Sequence, residues 1–327
     1  MIIPMPSKTD YPELIADHVE MTCLCLNIQG KSGRVSRHEL QDMFLDRDEN
    51  VEPTDDRCLR DVELEATVDS VFSEVELRGK HCGRNSVYPF EASENMVILA
   101  DTGRRNGGSA GVVYRYFLLA TRYNMKSNRK YAGIDATLLF EELCKEVAER
   151  FWGGPGESVD ARVLGTARLR TAAKRVGFRA AVEQSLRDLG GGLVFQMHDP
   201  HEDIDAKDDG VDILLWRRFA DNRPGVLIGC GQCKTGTSWS SSDLRALNPK
   251  SFFSKWACKQ PHVDPIPLFF LAQRVVTKWN QHCVDAGLLF DRCRIVEYAS
   301  NLSEKLTARI EAWVQAAEND LPRLIEC

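Results

Sequence analysis

Apolar side chains recur three and four positions apart along three early segments of the chain, which is the spacing of one face of a helix. These segments are residues 12–28, 37–46 and 60–77. Two β-rich runs follow at residues 95–100 and 112–123, and a polar, basic linker occupies residues 124–130. Three helices followed by a hairpin is the order of elements in a winged-helix module. The pattern therefore predicts an N-terminal helical accessory or recognition domain of this kind over residues 1–130.

The pattern changes from residue 131, where helical segments alternate with short apolar runs of the kind that form buried strands. The predicted helices are residues 135–152, 161–189, 241–257, 275–286 and 303–319. The predicted strands are residues 193–196, 211–219, 226–234, 267–272 and 288–298. This order predicts an α/β domain over residues 131–327, built on a mixed β-sheet with helices on its faces.

Composition indicates a globular chain. The 327 residues suit two domains of about 150 residues each, and 43% hydrophobic with 28% charged residues is a balance that can bury a core. No run of about 18 apolar residues is present, and the N-terminus has no basic region followed by an apolar one, so we expect neither a membrane span nor secretion. The eleven cysteines, an odd number, are expected to be reduced thiols in a cytoplasmic protein.

Cys230 and Cys233 have the spacing of a zinc or redox pair. Residues three apart on a strand point to opposite faces of the sheet, so the two thiols cannot share a metal or readily form a disulfide. We interpret both as buried structural cysteines.

The chemically informative stretch is the predicted hairpin of residues 211–219 and 226–234. Gln232 and Lys234 project to one face of the second strand, and such a pair would be costly to bury in a plain apolar core. Asp212 begins the neighbouring strand. A turn centred between residues 222 and 223 would place Asp212 opposite Cys233, one residue out of phase, so a bulge or an asymmetric turn is needed to join it to Gln232 and Lys234.

These residue types suit metal-assisted hydrolysis of a phosphodiester. Asp212 and the Gln232 side-chain oxygen are hard oxygen ligands for Mg²⁺, with Mn²⁺ as a substitute, and the Cys233 backbone carbonyl could supply another. Lys234 could orient or deprotonate the attacking water and offset charge on the phosphate. A neutral glutamine where a carboxylate could stand lowers the expected metal affinity.

Asp-Gly-Val-Asp at residues 209–212, a strand–turn–strand, and Gln-Cys-Lys at residues 232–234 together resemble the PD-(D/E)xK nuclease superfamily, especially its Mrr-like restriction-endonuclease branch. That branch carries Phe-Glu-x-Leu in its first core helix, and Phe-Glu-Glu-Leu stands at residues 140–143. The resemblance covers residues 131–300. It departs from the family at Val211 and in the helix inserted at residues 161–189, which leaves the substrate preference open.

The resemblance implies a restriction-endonuclease-like fold whose catalytic set is Asp212, Gln232 and Lys234, with Glu141 as the helix carboxylate and Glu142 as the alternative. It implies a Mg²⁺-dependent DNA endonuclease that leaves 5′-phosphate and 3′-hydroxyl ends, and an effector of bacterial anti-phage defence or restriction is a natural setting. Two active sites are needed to cut both strands, so a homodimer or a complex with a partner ATPase or sensor protein is expected. The alternatives are an inactive nuclease-fold subunit that binds DNA or acts as a scaffold, and an RNA-cutting effector.

The predicted helix at residues 161–189 is basic, with seven Arg or Lys against one Glu between residues 162 and 187. Arg168, Arg175 and Arg179 follow one another at spacings of seven and four, which places them on one helix face. They are the candidate DNA-binding residues, because such a stripe can contact phosphates irrespective of sequence. A solvated helix face is the equally favoured alternative.

Overall fold

The structure is a computed structural model of the 327-residue chain. It describes residues 3–48, 57–82, 87–100, 108–123, 125, 129–153, 159–165, 177–196, 210–221 and 223–325. The chain divides into two compact units. The first comprises Met1–Ile134, Arg274–Val276 and Arg292–Cys327, and the second comprises Asp135–Gln273 and Thr277–Asp291.

The helices and strands of the described residues are numbered here in chain order. The helices are α1 (Pro12–Ile28), α2 (Arg37–Asp48), α3 (Arg57–His81), α4 (Gly108–Arg122), α5 (Ala136–Gly153), α6 (Phe178–Leu189), α7 (Ser241–Ala246), α8 (Pro249–Trp256), α9 (Trp279–Ala286), α10 (Arg292–Glu297) and α11 (Glu304–Asp320). The strands are β1 (Arg34–Ser36), β2 (Phe90–Ala92), β3 (Met96–Leu99), β4 (Lys130–Tyr131), β5 (Ile134–Asp135), β6 (Val159–Val163), β7 (Ile213–Arg217), β8 (Leu227–Lys234), β9 (Ile266–Leu271) and β10 (Leu288–Phe290).

In the first unit, helices pack with a small antiparallel sheet of order β1-β3-β2. The first three helices lie where the apolar spacing predicts them. Of the two strands of the predicted hairpin, the one at residues 95–100 is confirmed as β3, which pairs with β2. The one at residues 112–123 is wrong, because this segment is helix α4, in which residues such as Val113, Tyr116 and Leu119 are fully buried. A continuous apolar run has no clear period, so its spacing cannot distinguish a buried strand from a buried helix. The hairpin on which the winged-helix prediction rested is therefore absent from this segment.

The C-terminal helix belongs to the first unit, which differs from the predicted domain of residues 131–327. α11 packs against α4, and the Trp313 ring lies edge-on to Tyr116 and Tyr131, with ring centroids 5.1 and 5.5 Å apart. The apolar stripe of α11 was recognisable as an amphipathic face, but its spacing does not say which layer covers it.

Buried charged side chains hold the first unit together. Asp17 on α1 accepts hydrogen bonds from Nη1 and Nη2 of Arg292 at 2.7 and 2.8 Å and from Arg78 Nη1 at 2.7 Å. Arg78 also donates to Glu74 at 2.8 Å and lies 3.0 Å from Glu20. Burial alone would raise the pKa of Asp17, but the charges of Arg292 and Arg78 lower it to about 2. The network ties the first residue of α10 to α1 and α3.

The first unit also contains a disulfide between Cys82 and Cys293, which are 211 residues apart in the sequence. The expectation that all cysteines are reduced is therefore wrong for this pair. Its partners come from opposite ends of the chain, and no local spacing connects them. Cys230 and Cys233 are both free cysteines, as predicted.

The second unit is an α/β structure with a five-stranded mixed sheet in the described residues, and the predicted α/β class is confirmed in this form. The strand order is β10-β9-β8-β7-β6, with antiparallel pairing from β6 to β8 and parallel pairing from β8 to β10. The apolar core on one face of the sheet includes Ile228 and Cys230 of β8, Val182 of α6 and Phe253 of α8. Helix α5 covers the other face of the sheet. Its Trp152 ring packs so close to Gly229 that a Cβ built on this glycine would lie only 2.9 Å from the ring.

The single helix predicted over residues 161–189 is wrong, because its beginning is the edge strand β6. Gly177 is extended, with φ −64° and ψ 158°, and helix α6 begins only after it. The predicted continuous helix is therefore interrupted at Gly177, and of the predicted stripe only Arg179 lies on described helix. Arg168 and Arg175 lie outside the described residues. Arg179 is exposed, with its guanidinium carbon 5.8 Å from the centre of the Phe195 ring, and its role in DNA binding stays a prediction.

Two predicted strands are shorter in the structure than in the sequence pattern. Residues 193–196 contribute a single bridge, from Phe195 to Ala257. The strand predicted at 288–298 ends at Phe290, and α10 follows it. In the part of the chain that the structure describes, no helix has the length and apolar character needed to cross a bilayer.

Candidate active site

The pairing of β7 with β8 decides where Asp212 lies. Ile213 stands opposite Gly231, so the register of β7 on β8 differs by one residue from the predicted one, and Asp212 lies just outside the last pair of the ladder. The hydrogen-bond pattern between β7 and β8 changes at Asp212. The Asp212 N–H donates to the Gly231 carbonyl at 2.8 Å, and the Cys233 N–H donates to Asp212 Oδ2 at 2.8 Å. The carboxylate thus takes the position of a backbone acceptor where the two strands part.

Glu141 and Asp212 are brought together beside Gly165. Leu164 and Gly165, which follow β6, both donate their N–H groups to the Asp212 carbonyl, at 2.7 and 3.0 Å. A Cβ added to Gly165 would lie 2.5 Å from Glu141 Oε2 and 2.7 Å from Asp212 Oδ1. The two carboxylate oxygens are therefore no farther apart than the sum of these distances. Only a glycine leaves room for them both.

The helix carboxylate comes from the second turn of α5, where Glu141 is 7% exposed and Glu142 is more exposed. Of the two predicted candidates, it is Glu141 that lies beside Asp212. One turn later, the Cys144 thiol contacts the Cys233 thiol on β8. Burial raises the pKa of both thiols, and the negative charges of Asp212 and Glu141 raise it further. This environment therefore favours the neutral thiol form of both cysteines.

Gln232 and Lys234 point to the opposite face of β8 from Cys233, as strand alternation predicted. Cys233 faces α5, whereas Cys230 lies in the core beneath α6 and α8. The Gln232 Oε1 atom is buried and has no hydrogen-bond partner among the described residues. The Lys234 ammonium lies 3.4 Å from Asp243 Oδ1. The two carboxylates thus meet at the end of the sheet, while the amide and the ammonium lie on its other face.

The Cys233 carbonyl lies on the β7 side of β8, the side from which its N–H reaches the Asp212 carboxylate. The Gly231 carbonyl faces β7, since it accepts from Asp212, and the Lys234 carbonyl faces β9, since it accepts from the Ala272 N–H at 3.3 Å. Carbonyl directions alternate along a strand, so the Cys233 carbonyl faces β7 as Gly231 does. This direction agrees with its predicted use as a backbone ligand.

Mg²⁺ prefers hard oxygen donors, and the carboxylates beside Gly165 are of this kind. Within the described ranges, no group of three or more His, Cys, Asp or Glu side chains has the geometry of a metal site. Mg²⁺ in proteins is often held by only one or two carboxylates and keeps several waters. Two adjacent carboxylates and the Cys233 carbonyl on the β7 side therefore fit this cation, whereas the buried Gln232 Oε1 lies on the other face of the strand.

Three residues of the site were missed by the sequence analysis. Gly165 was assigned to a helix interior, although an isolated glycine in a helical pattern is a recognised sign of close backbone approach or of an element's end. No spacing or motif in the sequence marked Cys144 as part of a site. Asp243 falls in the first turn of the helix predicted at residues 241–257, but its contact with Lys234 was not predicted.

Comparisons of the chain with protein-family models, with curated proteins and with solved structures give no match.

Proposed function

We propose that this protein is a Mg²⁺-dependent endonuclease that hydrolyses phosphodiester bonds in DNA, with a restriction-endonuclease-like core in its second unit. The observation that carries the proposal is the meeting of the Glu141 and Asp212 carboxylates at Gly165, one strand away from the Gln-x-Lys pair. The order of elements also supports it, since a helix, three antiparallel strands and two further parallel strands agree with the fold that the resemblance implies.

Each residue has a role that its position supports. Glu141 and Asp212 would hold the cation, together with the Cys233 carbonyl, whereas the Gln232 side chain lies on the other face of β8 and would not share this cation. Mg²⁺ so bound lowers the pKa of a water molecule and offsets charge on the phosphate. The Cys233 N–H donates to Asp212 Oδ2 and so orients that carboxylate. Lys234 supplies a positive charge for the phosphate in the transition state, where such groups have their largest effect.

The proposed partner is DNA, and the proposed setting is restriction or anti-phage defence. Cutting both strands requires two active sites, so we propose that the protein works as a homodimer or in a complex with an ATPase or sensor protein. Arg179, exposed at the first turn of α6, is a candidate phosphate contact.

A second candidate function is a nuclease fold without activity that binds DNA or serves as a scaffold. It is favoured by the neutral Gln232 and by the position of its side chain on the face of β8 opposite the Cys144–Cys233 contact. A site with fewer negative charges, and with its oxygen donors on two faces of one strand, would bind the cation weakly.

A cleavage assay separates the two functions. Purified protein is incubated with supercoiled, linear and single-stranded DNA and with RNA, in Mg²⁺, in Mn²⁺ and in EDTA. We expect metal-dependent DNA cutting that falls about 10²–10³-fold in Asp212→Ala and in Lys234→Ala, as for other groups that stabilise charge in a transition state. Lys250→Ala is the matched control, because Lys250 also pairs with an aspartate but is 67% exposed.

Three outcomes are informative. Cutting that survives Lys234→Ala contradicts the proposed catalytic set. DNA binding without cutting, in protein whose unfolding transition is cooperative, favours the inactive subunit. Cutting of RNA alone keeps the site and changes the substrate.

A further inference from the structure

We propose that Asp243 is a positioning residue for Lys234, an inference that rests on the proposed nuclease function. The Asp243 carboxylate holds the Lys234 ammonium in one orientation on the Gln232 face of β8. Asp243 itself touches neither the metal ligands nor, in this proposal, the substrate.

The contact is an ion pair at the end of β8. Lys234 Nζ lies 3.4 Å from Asp243 Oδ1, and the two side chains are 37% and 34% exposed. An ion pair this exposed contributes little to the stability of folding. A lysine side chain has four rotatable bonds and loses much conformational freedom when its end is held. The pair therefore restrains Lys234 without adding much stability, which is the effect expected of preorganisation.

Asp243 can restrain Lys234 because it is fixed from its other side. Its Oδ2 accepts hydrogen bonds from the N–H and the hydroxyl of Ser240, at 2.8 and 2.9 Å, and its own N–H donates to Ser240 Oγ at 3.4 Å. This is the capping box of α7. One carboxylate oxygen thus secures the helix start, and the other is directed at Lys234.

The segment between Lys234 and the capping box is anchored at both ends. At the strand end, the Lys234 carbonyl accepts from the Ala272 N–H. At the helix end, Trp239 Nε1 donates to Gln273 Oε1 at 2.8 Å, and its ring lies edge-on to His282 with centroids 5.1 Å apart. Asp243 is therefore held at a set distance from β8, and its position does not depend on the ion pair itself.

The consequence concerns turnover more than DNA affinity. Without the Asp243 charge, the ammonium still reaches a phosphate but samples many orientations. Misplacement of a reacting group by about 1 Å can cost about 10²-fold in rate. Loss of a negative charge beside the substrate would leave DNA affinity unchanged or raise it.

The test compares Asp243→Asn with three other variants. Asp243→Glu keeps the charge, Ser240→Ala removes the cap but leaves the carboxylate, and Asp264→Asn removes a carboxylate that pairs with Lys250 instead. Single-turnover cleavage rates in Mg²⁺, DNA affinity in Ca²⁺ and melting temperatures are measured for each.

We expect a 10- to 100-fold fall in the cleavage rate of Asp243→Asn, with equal or tighter DNA binding, partial rescue in Asp243→Glu and the parental rate in Asp264→Asn. An Asp243→Asn variant that cleaves at the parental rate overturns the inference. A matching rate loss in Ser240→Ala, in step with a fall in melting temperature, also overturns it, since the effect would then belong to the helix cap.

Failure of the inference differs from failure of the proposed function. Parental protein that cuts DNA and loses activity in Lys234→Ala, but not in Asp243→Asn, overturns this inference alone. Parental protein that cuts no substrate overturns both.

Discussion

Substitution of Gly165 by alanine is the sharpest perturbation of the candidate site. The new Cβ would meet Glu141 Oε2 at 2.5 Å and Asp212 Oδ1 at 2.7 Å, whereas ordinary contacts begin at 3.4 Å. Both oxygens are the far ends of side chains, so they can move away. We therefore expect the two carboxylates to separate while the backbone stays in place.

The effects on stability and on activity should differ widely. Overpacking costs about 1–3 kcal/mol, and replacing glycine by alanine returns about 0.4–1 kcal/mol through the unfolded chain, so the net loss in unfolding free energy is at most about 2.6 kcal/mol. The Glu141 oxygen must move by about 1 Å, a displacement that can reduce a catalysed rate about 10²-fold. A folded protein with greatly weakened metal-dependent cleavage is the expected result.

The assay measures thermal unfolding and DNA cleavage over a range of Mn²⁺ and Mg²⁺ concentrations. Gly177→Ala is the matched control, because a Cβ there would meet nothing within 4 Å and the backbone φ of −64° suits alanine. Parental cleavage by a folded Gly165→Ala protein would refute the reasoning, since the carboxylates would then tolerate displacement. Equal losses of DNA cleavage in Gly165→Ala and Gly177→Ala would also contradict it.

Two further predictions concern the first unit. The pKa of Asp17 is lowered in the folded state from 3.8 to about 2, so the pair with Arg292 and Arg78 stabilises the fold above pH 4 and loses about 2 kcal/mol as the pH falls toward 2. Urea unfolding at several pH values should show this slope in the parental protein and a weaker one in Arg292→Met. Reduction of the Cys82–Cys293 disulfide should lower the unfolding free energy by about 2–4 kcal/mol, and a double serine variant should not respond to reductant; equal melting temperatures with and without reductant would contradict this.

Local sequence patterns were sufficient to predict much of the second unit. The apolar spacing of α5 and the alternation along β8 predicted both elements, the common face of Gln232 and Lys234, and the separation of Cys230 from Cys233. These features depend on side-chain directions within one element, which the periods of helix and strand determine. Lys234 could be chosen for the same reason, whereas Glu141 was implied only by the family resemblance.

Other features depended on neighbours that are distant in the sequence. Helix α4 was mistaken for a strand because an apolar run buried on all sides has no informative period. The side on which the Asp212 carboxylate lies depends on the end of regular β7–β8 pairing at Ile213, which the spacing of residues along either strand does not reveal. Gly165 comes next to Glu141 only when β6 pairs with β7, and Asp243 reaches Lys234 only after Trp239 and Ser240 anchor the start of α7. Contacts of this kind are set by the packing of elements against one another, since a residue's own neighbours in the chain carry no information about them.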